Sequence, residues 1–125
     1  MSEPRWVHLS HAIRIHNEHL AIYGGAGGLR DLGLLDSAMS RPPNKFAYGE
    51  TDLALLAASY AFGISRNHPF VDGNKRTAFL VMMTFLWKND VAFAPTQVEA
   101  TERMFELAAG ALSEAEVANW VRGTR

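Results

Sequence analysis

The tightest constraint on the fold is an abrupt change of character at residue 78. Residues 78–87, Ala-Phe-Leu-Val-Met-Met-Thr-Phe-Leu-Trp, hold one polar side chain, Thr84, and follow directly on a polar, glycine-containing run from His68 to Thr77. A helix that is apolar on every face belongs inside a domain. The polar run at its N-terminus is therefore carried by the most rigid element available, where a constellation of functional side chains is best held. The apolar run is about half a membrane span, so a buried core helix is the expectation and a membrane span is not.

The run His68-Pro69-Phe70-Val71-Asp72-Gly73-Asn74-Lys75-Arg76-Thr77 combines residue types that phosphate chemistry requires. The first backbone N–H groups of a helix have no intrahelical partner and lie at the positive end of its dipole, which makes Gly73, Asn74 and Lys75 an anion cradle. Lys75 and Arg76 add cationic side chains, and the planar fork of arginine suits phosphate oxygens. Asp72 would repel a bare phosphate and makes better sense as the ligand of a Mg²⁺ ion that bridges phosphates. His68 is the one group here that takes up a proton near neutral pH, as a general base for an attacking hydroxyl must. A polar helix cap explains any one of these residues. It asks for a single acceptor, however, and does not explain a base, a carboxylate and two cations in fixed order.

The same residues resemble the signature of the Fic/Doc family, HPFx(D/E)GNxR, at His68, Pro69, Phe70, Asp72, Gly73, Asn74 and Arg76, and Lys75 at the variable place is similar to the Doc (death-on-curing) branch. Tyr23-Gly24-Gly25, Gly28-Leu29-Arg30-Asp31 and Leu34-Leu35-Asp36-Ser37-Ala38 also resemble Doc-type sequences, so the likeness covers roughly residues 10–90. It implies an all-α fold: a single compact helical domain over residues 1–125, built around a central buried helix with a short flap. It implies ATP and Mg²⁺ as cofactors, His68, Lys75 and Arg76 as catalytic, and Asp72 as the metal carboxylate. Gly73, Asn74, Lys75, Arg76 and Arg66 are the expected phosphate-binding residues. The implied partners are a protein target, a translation factor such as elongation factor Tu, and an antitoxin similar to Phd. No segment resembles the family's built-in inhibitory helix, so restraint is expected from another chain.

Two reactions are compatible with this resemblance. Adenylylating Fic enzymes usually have glycine where this chain has Lys75, whereas Doc-type proteins with lysine there hand the γ-phosphoryl group of ATP to a target hydroxyl. Lys75 therefore favours a kinase, and a protein adenylyltransferase is the second reading. Gly73 and Pro69 are more Fic-like than Doc-like and keep it open. An inactive interaction domain is the third reading, and the intact His68 and Asp72 argue against it.

Composition bounds the rest. A chain of 125 residues, 48% of them hydrophobic, is enough for one core and too short for two ordinary domains. A net charge of −1 gives no general reason to bind nucleic acid or a membrane surface. The absence of cysteine excludes a disulfide and a thiolate nucleophile, and with no signal-like N-terminus it suits a soluble, cytoplasmic protein.

Along the chain, Trp6 and Val7 suggest a small strand, and Ser10 is placed to cap a helix running to about Ile22. His16 and His19 on that helix have the i, i+3 spacing of a ligand pair, but without further ligands they read as solvated or core-edge side chains. The glycine-rich residues 24–28 form a loop and lack the ending of a phosphate-binding loop. Asp31 caps a short helix to about Ser40, which Pro42 and Pro43 are expected to stop. Residues 41–50 lack a helical period. By resemblance they are the flap facing the motif; otherwise they are a connector with Phe46 and Tyr48 on the core.

Leu53, Leu56, Ala57, Tyr60, Ala61 and Ile64 mark one face of a helix that delivers Arg66 and Asn67 to the motif, where Phe70 and Val71 act as buried anchors. The apolar helix ends near Lys88, with a turn at Asn89-Asp90 and a short strand suggested at residues 91–93. Thr96-x-x-Glu99 and Ser113-x-x-Glu116 are capping boxes. The helices they open show apolar faces at Val98, Thr101, Phe105, Ala108 and Leu112, and at Val117, Trp120 and Val121. Met82, Met83 and Met104 read as core filling.

Overall fold

The computed structural model describes residues 2–123, and its element order is six helices: α1 Leu9–Tyr23, α2 Leu32–Ala47, α3 Leu53–Asn67, α4 Asn74–Lys88, α5 Gln97–Ala108 and α6 Glu114–Arg122. Local chemistry sets most of their starts. The Asp31 carboxylate accepts from the backbone N–H of Leu34, and Asp52 accepts from that of Ala54. Both capping boxes form in full, at Thr96 with Glu99 and at Ser113 with Glu116. Each cap satisfies amides that the first helical turn leaves without partners. The helix α1 begins two residues earlier than Ser10 would set it, with His8 at the cap position, so Ser10 lies inside the helix.

The proline pair does not stop α2. Pro42 and Pro43 lie within it, and residues 41–47, expected to form a flap or connector, are its last turns. A proline inside a helix costs about 3 kcal/mol or more, so something outside the helix must offset it. Packing against α3 supplies this. A Cβ added at Gly63 would stand 3.2 Å from the Ala38 Cα, so the two helices touch backbone to backbone there. Pro42 itself is buried, and Phe46 meets the edge of Trp6 at 5.7 Å between ring centroids.

The core is centred on α3. Its buried face includes Leu56, Ala57, Tyr60, Ala61 and Ile64, as the periodicity predicts, and it packs against α2, α4, α5 and α6. The apolar α4 lies beside it and is not enclosed on all sides: Ala78, Val81, Met82, Phe85 and Leu86 are buried, while Trp87 is 78% exposed. Met82 and Met104 fill the core.

Among the described residues no strand forms at Trp6-Val7 or at residues 91–93. Side chains hold the N-terminal segment instead. Tyr60 Oη accepts from Val7 N at 3.0 Å and donates to Val7 O at 3.3 Å, and Asn89 exchanges both bonds with the backbone of Arg5 at 2.9 Å. Burial pushes the Tyr60 phenol far above its ordinary range, against the pull of its Val7 hydrogen bond, so it remains an O–H donor. No helix among the described residues is long and apolar enough to cross a membrane.

Candidate active site

The motif occupies the turn from the C-terminus of α3 to the N-terminus of α4. His68 ends α3 in the left-handed region, φ 52° and ψ 55°, a conformation that costs a non-glycine residue roughly 1–2 kcal/mol. Its surroundings hold it there. His68 N donates to Ile64 O at 3.0 Å, and Arg30 reaches in from the glycine-rich loop, donating from Nε to His68 O at 2.8 Å and from its terminal nitrogen to Asn67 O at 3.0 Å. The backbone of that loop also clasps the motif: Arg30 N and Asp31 N both donate to Pro69 O, and Val71 N donates to Gly28 O. Leu29 and Phe70 form an isolated antiparallel bridge. The segment that faces the motif is thus the glycine-rich loop and not residues 41–50.

Inside the turn, Phe70 is buried as expected, whereas the Val71 side chain is 50% exposed and is not a buried anchor. The Asn74 side chain is buried and spans the loop, accepting from Phe70 N at 3.0 Å and donating to Phe70 O at 2.9 Å. Gly73 caps α4 with φ 77°, and its N–H donates to the Asp72 carboxylate at 2.8 Å. The first turn of α4 carries Lys75 and Arg76 and no acidic residue. Cations at the positive end of a helix dipole repel it, and an anion bound there relieves both.

His68, Asp72, Gly73, Asn74, Lys75 and Arg76 line one cavity of about 630 Å³. The helix α1 supplies a second wall that the motif does not encode. His19 stands 4.8 Å from Tyr23, ring to ring, and the Arg76 guanidinium lies 5.2 Å above the Tyr23 ring, within cation–π range. Burial, and then the positive charge of Arg76, hold the His19 imidazole below its usual pKa, with Asp72 opposing. The far wall comes from α5, and here the expected apolar face is reversed. Ala100, Met104 and Leu107 are the buried residues, whereas Val98 and Phe105 are each 66% exposed and Thr101 and Phe105 line the cavity. Both stripes have helical spacing, and packing on α3 and α4 selects between them.

Arg66 is not brought to this cavity. It lines a separate cleft of about 680 Å³ between α2 and α3 with Arg41 and Lys45, its guanidinium 5.8 Å from the centre of the Phe62 ring, which Arg41 approaches at 4.7 Å. The pair His16 and His19 is split as well: His16 is buried and bonded to the motif backbone, and His19 faces the cavity. Among the described residues no group of three or more His, Cys, Asp or Glu side chains is arranged to hold a metal. One carboxylate beside an anion cradle nonetheless fits Mg²⁺, which is commonly held by one or two carboxylates, water and substrate phosphates.

Sequence reasoning missed Arg30, His19 and Tyr23 as contributors. The signal for Arg30 lay in Gly28-Leu29-Arg30-Asp31, and for Tyr23 in Tyr23-Gly24-Gly25, both similar to Doc-type sequences.

A model of the Fic/DOC family matches residues 6–86, which include α1 to α3 and the whole motif. Over 111 residues the chain is 33% identical to Protein kinase doc of Escherichia phage P1, an alignment covering 88% of this chain and 87% of that protein. Over 75 residues it is 44% identical to Toxin Doc of Mycolicibacterium smegmatis, covering 58% and 57% of the two chains.

Proposed function

As this chain belongs to the Fic/DOC family, we propose that it is a Doc-type toxin that transfers the γ-phosphoryl group of ATP to a Ser or Thr hydroxyl of a translation factor, elongation factor Tu by resemblance, and thereby arrests growth. The observation that carries this reading is the convergence of His68, Asp72, Lys75 and Arg76 on one cavity at the N-terminus of α4, whose first turn carries two cations and no acidic residue. In the proposed step, His68 takes the proton of the attacking hydroxyl as its oxygen bonds to the γ-phosphorus. The bond from that phosphorus to the bridging oxygen breaks, and ADP leaves. Lys75, Arg76 and the first amides of α4 hold the phosphate oxygens in line. Asp72 is the residue to hold Mg²⁺, which when bound neutralises charge on the phosphates.

Lys75 stands in the first turn of α4, on the cradle itself, and this favours phosphoryl over adenylyl transfer. Gly73 and Pro69 favour the adenylyltransferase reading. Incubation with a bacterial lysate and ATP labelled at the γ- or the α-phosphate separates the two: γ-label in protein is expected, and α-label alone would exchange them. We place the protein in the cytoplasm beside a Phd-like antitoxin, whose co-expression should relieve growth arrest; harmlessness of the protein alone in several bacterial hosts would count against the toxin reading.

A further inference from the structure

His16 has a use that its spacing from His19 does not reveal. It is 1% exposed, and its ring lies flat on Phe70, 3.8 Å between centroids and 9° between planes. Its Nε2 stands 2.7 Å from the backbone carbonyl oxygen of Asp72. A carbonyl oxygen only accepts, so Nε2 carries the hydrogen. Asp72 is confined from other directions too. Its Oδ1 accepts from Gly73 N at 2.8 Å, and a Cβ added at Gly25 would stand 3.0 Å from its Oδ2, so the carboxylate is seated against bare glycine backbone. The peptide that bears the proposed metal carboxylate is thus gripped by a side chain from α1, a helix 56 residues away in sequence.

We propose that His16 is a positioning residue for Mg²⁺ binding: by holding the Asp72 carbonyl and the face of Phe70 it fixes the direction in which the Asp72 carboxylate enters the cavity. The inference rests on the reading of Asp72 as the metal carboxylate. A buried histidine that merely fills space would be replaced by phenylalanine without consequence for the metal, since phenylalanine keeps the flat contact with Phe70. A positioning histidine would not, because the donor is lost. Groups that orient metal ligands typically contribute about 10- to 100-fold in affinity.

The test titrates Mn²⁺ with a non-hydrolysable ATP analogue into the full chain and reads water-proton relaxation, with the melting temperature measured alongside. The wild type is expected to bind, and Asp72→Ala to lose binding. His16→Phe should melt near the wild type but bind roughly tenfold or more weakly, while His16→Gln, which retains a donor, should bind within about threefold of the wild type. If His16→Phe fails to fold, His16→Met replaces it as the variant without a strong donor, to be compared with His16→Gln. Equal Mn²⁺ binding by the donor-free variant and the wild type overturns the role of His16 and leaves Asp72 as the metal carboxylate. Binding that is unchanged in Asp72→Ala overturns both.

Discussion

Asn74 holds both backbone polar groups of Phe70, taking its N–H at 3.0 Å and giving a hydrogen to its carbonyl at 2.9 Å. One buried amide side chain thereby closes the motif loop into a ring between His68 and the α4 cradle. Both groups it satisfies are buried, and a buried backbone group left unpaired costs about 1–3 kcal/mol. Asn74→Ala, which strands both, should therefore lower stability by roughly 2–6 kcal/mol. Urea unfolding monitored by circular dichroism checks this, and a midpoint equal to that of the wild type would deny the clasp its role.

His68 precedes the start of α4, and in the proposed mechanism it acts on the target hydroxyl, so its loss should separate chemistry from nucleotide binding. In His68→Ala, transfer should fall by about 10²- to 10⁴-fold, the usual contribution of a general base, while affinity for ATP changes little. Labelled-phosphate transfer and equilibrium binding measured on the same preparation decide it. Undiminished transfer would remove His68 from the mechanism.

Asp72→Ala should leave transfer nearly absent and unresponsive to added Mg²⁺, because the carboxylate proposed to hold the ion is gone. A Mg²⁺ titration of initial rates for wild type and variant is the measurement. Full wild-type activity in chelator would show that the metal assignment is mistaken.

Lys75→Gly removes a cation from the first turn of α4 and opens the cradle. On the proposed mechanism, transfer of γ-label should fall, since the phosphates would lose a charged partner. The variant need not gain adenylyl transfer, because in-line geometry tolerates little displacement. A variant that transfers γ-label as fast as the wild type would take Lys75 out of the site.

Arg122 ties α6 to the start of α3 by donating from Nε to the Asp52 carboxylate at 3.0 Å. Burial alone would raise the Asp52 pKa. The hydrogen bonds from Arg122 and Ala54, with the charge of Arg122, outweigh it and hold the pKa below the ordinary 3.8. A folded-state pKa below the unfolded one gives stability that is present above the unfolded value and is lost as the pH falls through the folded one. Arg122→Ala should thus be less stable than the wild type at pH 7 by about 0.2–1 kcal/mol, as for other partly exposed ion pairs. The gap should close on acidification below 3.8. Urea midpoints at pH 7 and near pH 3 test it, and an equal gap at both would count against the pair.

The features legible in the sequence are those that short-range chemistry decides. Asp31, Thr96 and Ser113 cap helices because a side-chain oxygen reaches an amide within three residues, whatever lies beyond. The motif is legible for the same reason: a histidine, a carboxylate, a glycine and two cations lie within nine consecutive residues, so chain connectivity alone keeps them near one another. The remaining features depend on residues far apart in the chain. Whether α2 continues through Pro42 and Pro43 depends on Gly63 of α3 allowing Ala38 to approach, and a long-range contact of that kind leaves no local pattern. Which stripe of α5 is buried depends on where α3 and α4 lie, since both stripes repeat at the helical period. The side of α3 on which Arg66 emerges is decided by the same packing, as is the reach of His16 to the Asp72 carbonyl. Local hydrogen bonds and propensities choose the elements, and tertiary burial chooses which of their faces meet. The residue types of the candidate site are therefore written in one segment, while the positions of its supporting side chains were determined only when α2, α4, α5 and α6 packed on α3 and α1 packed on α4.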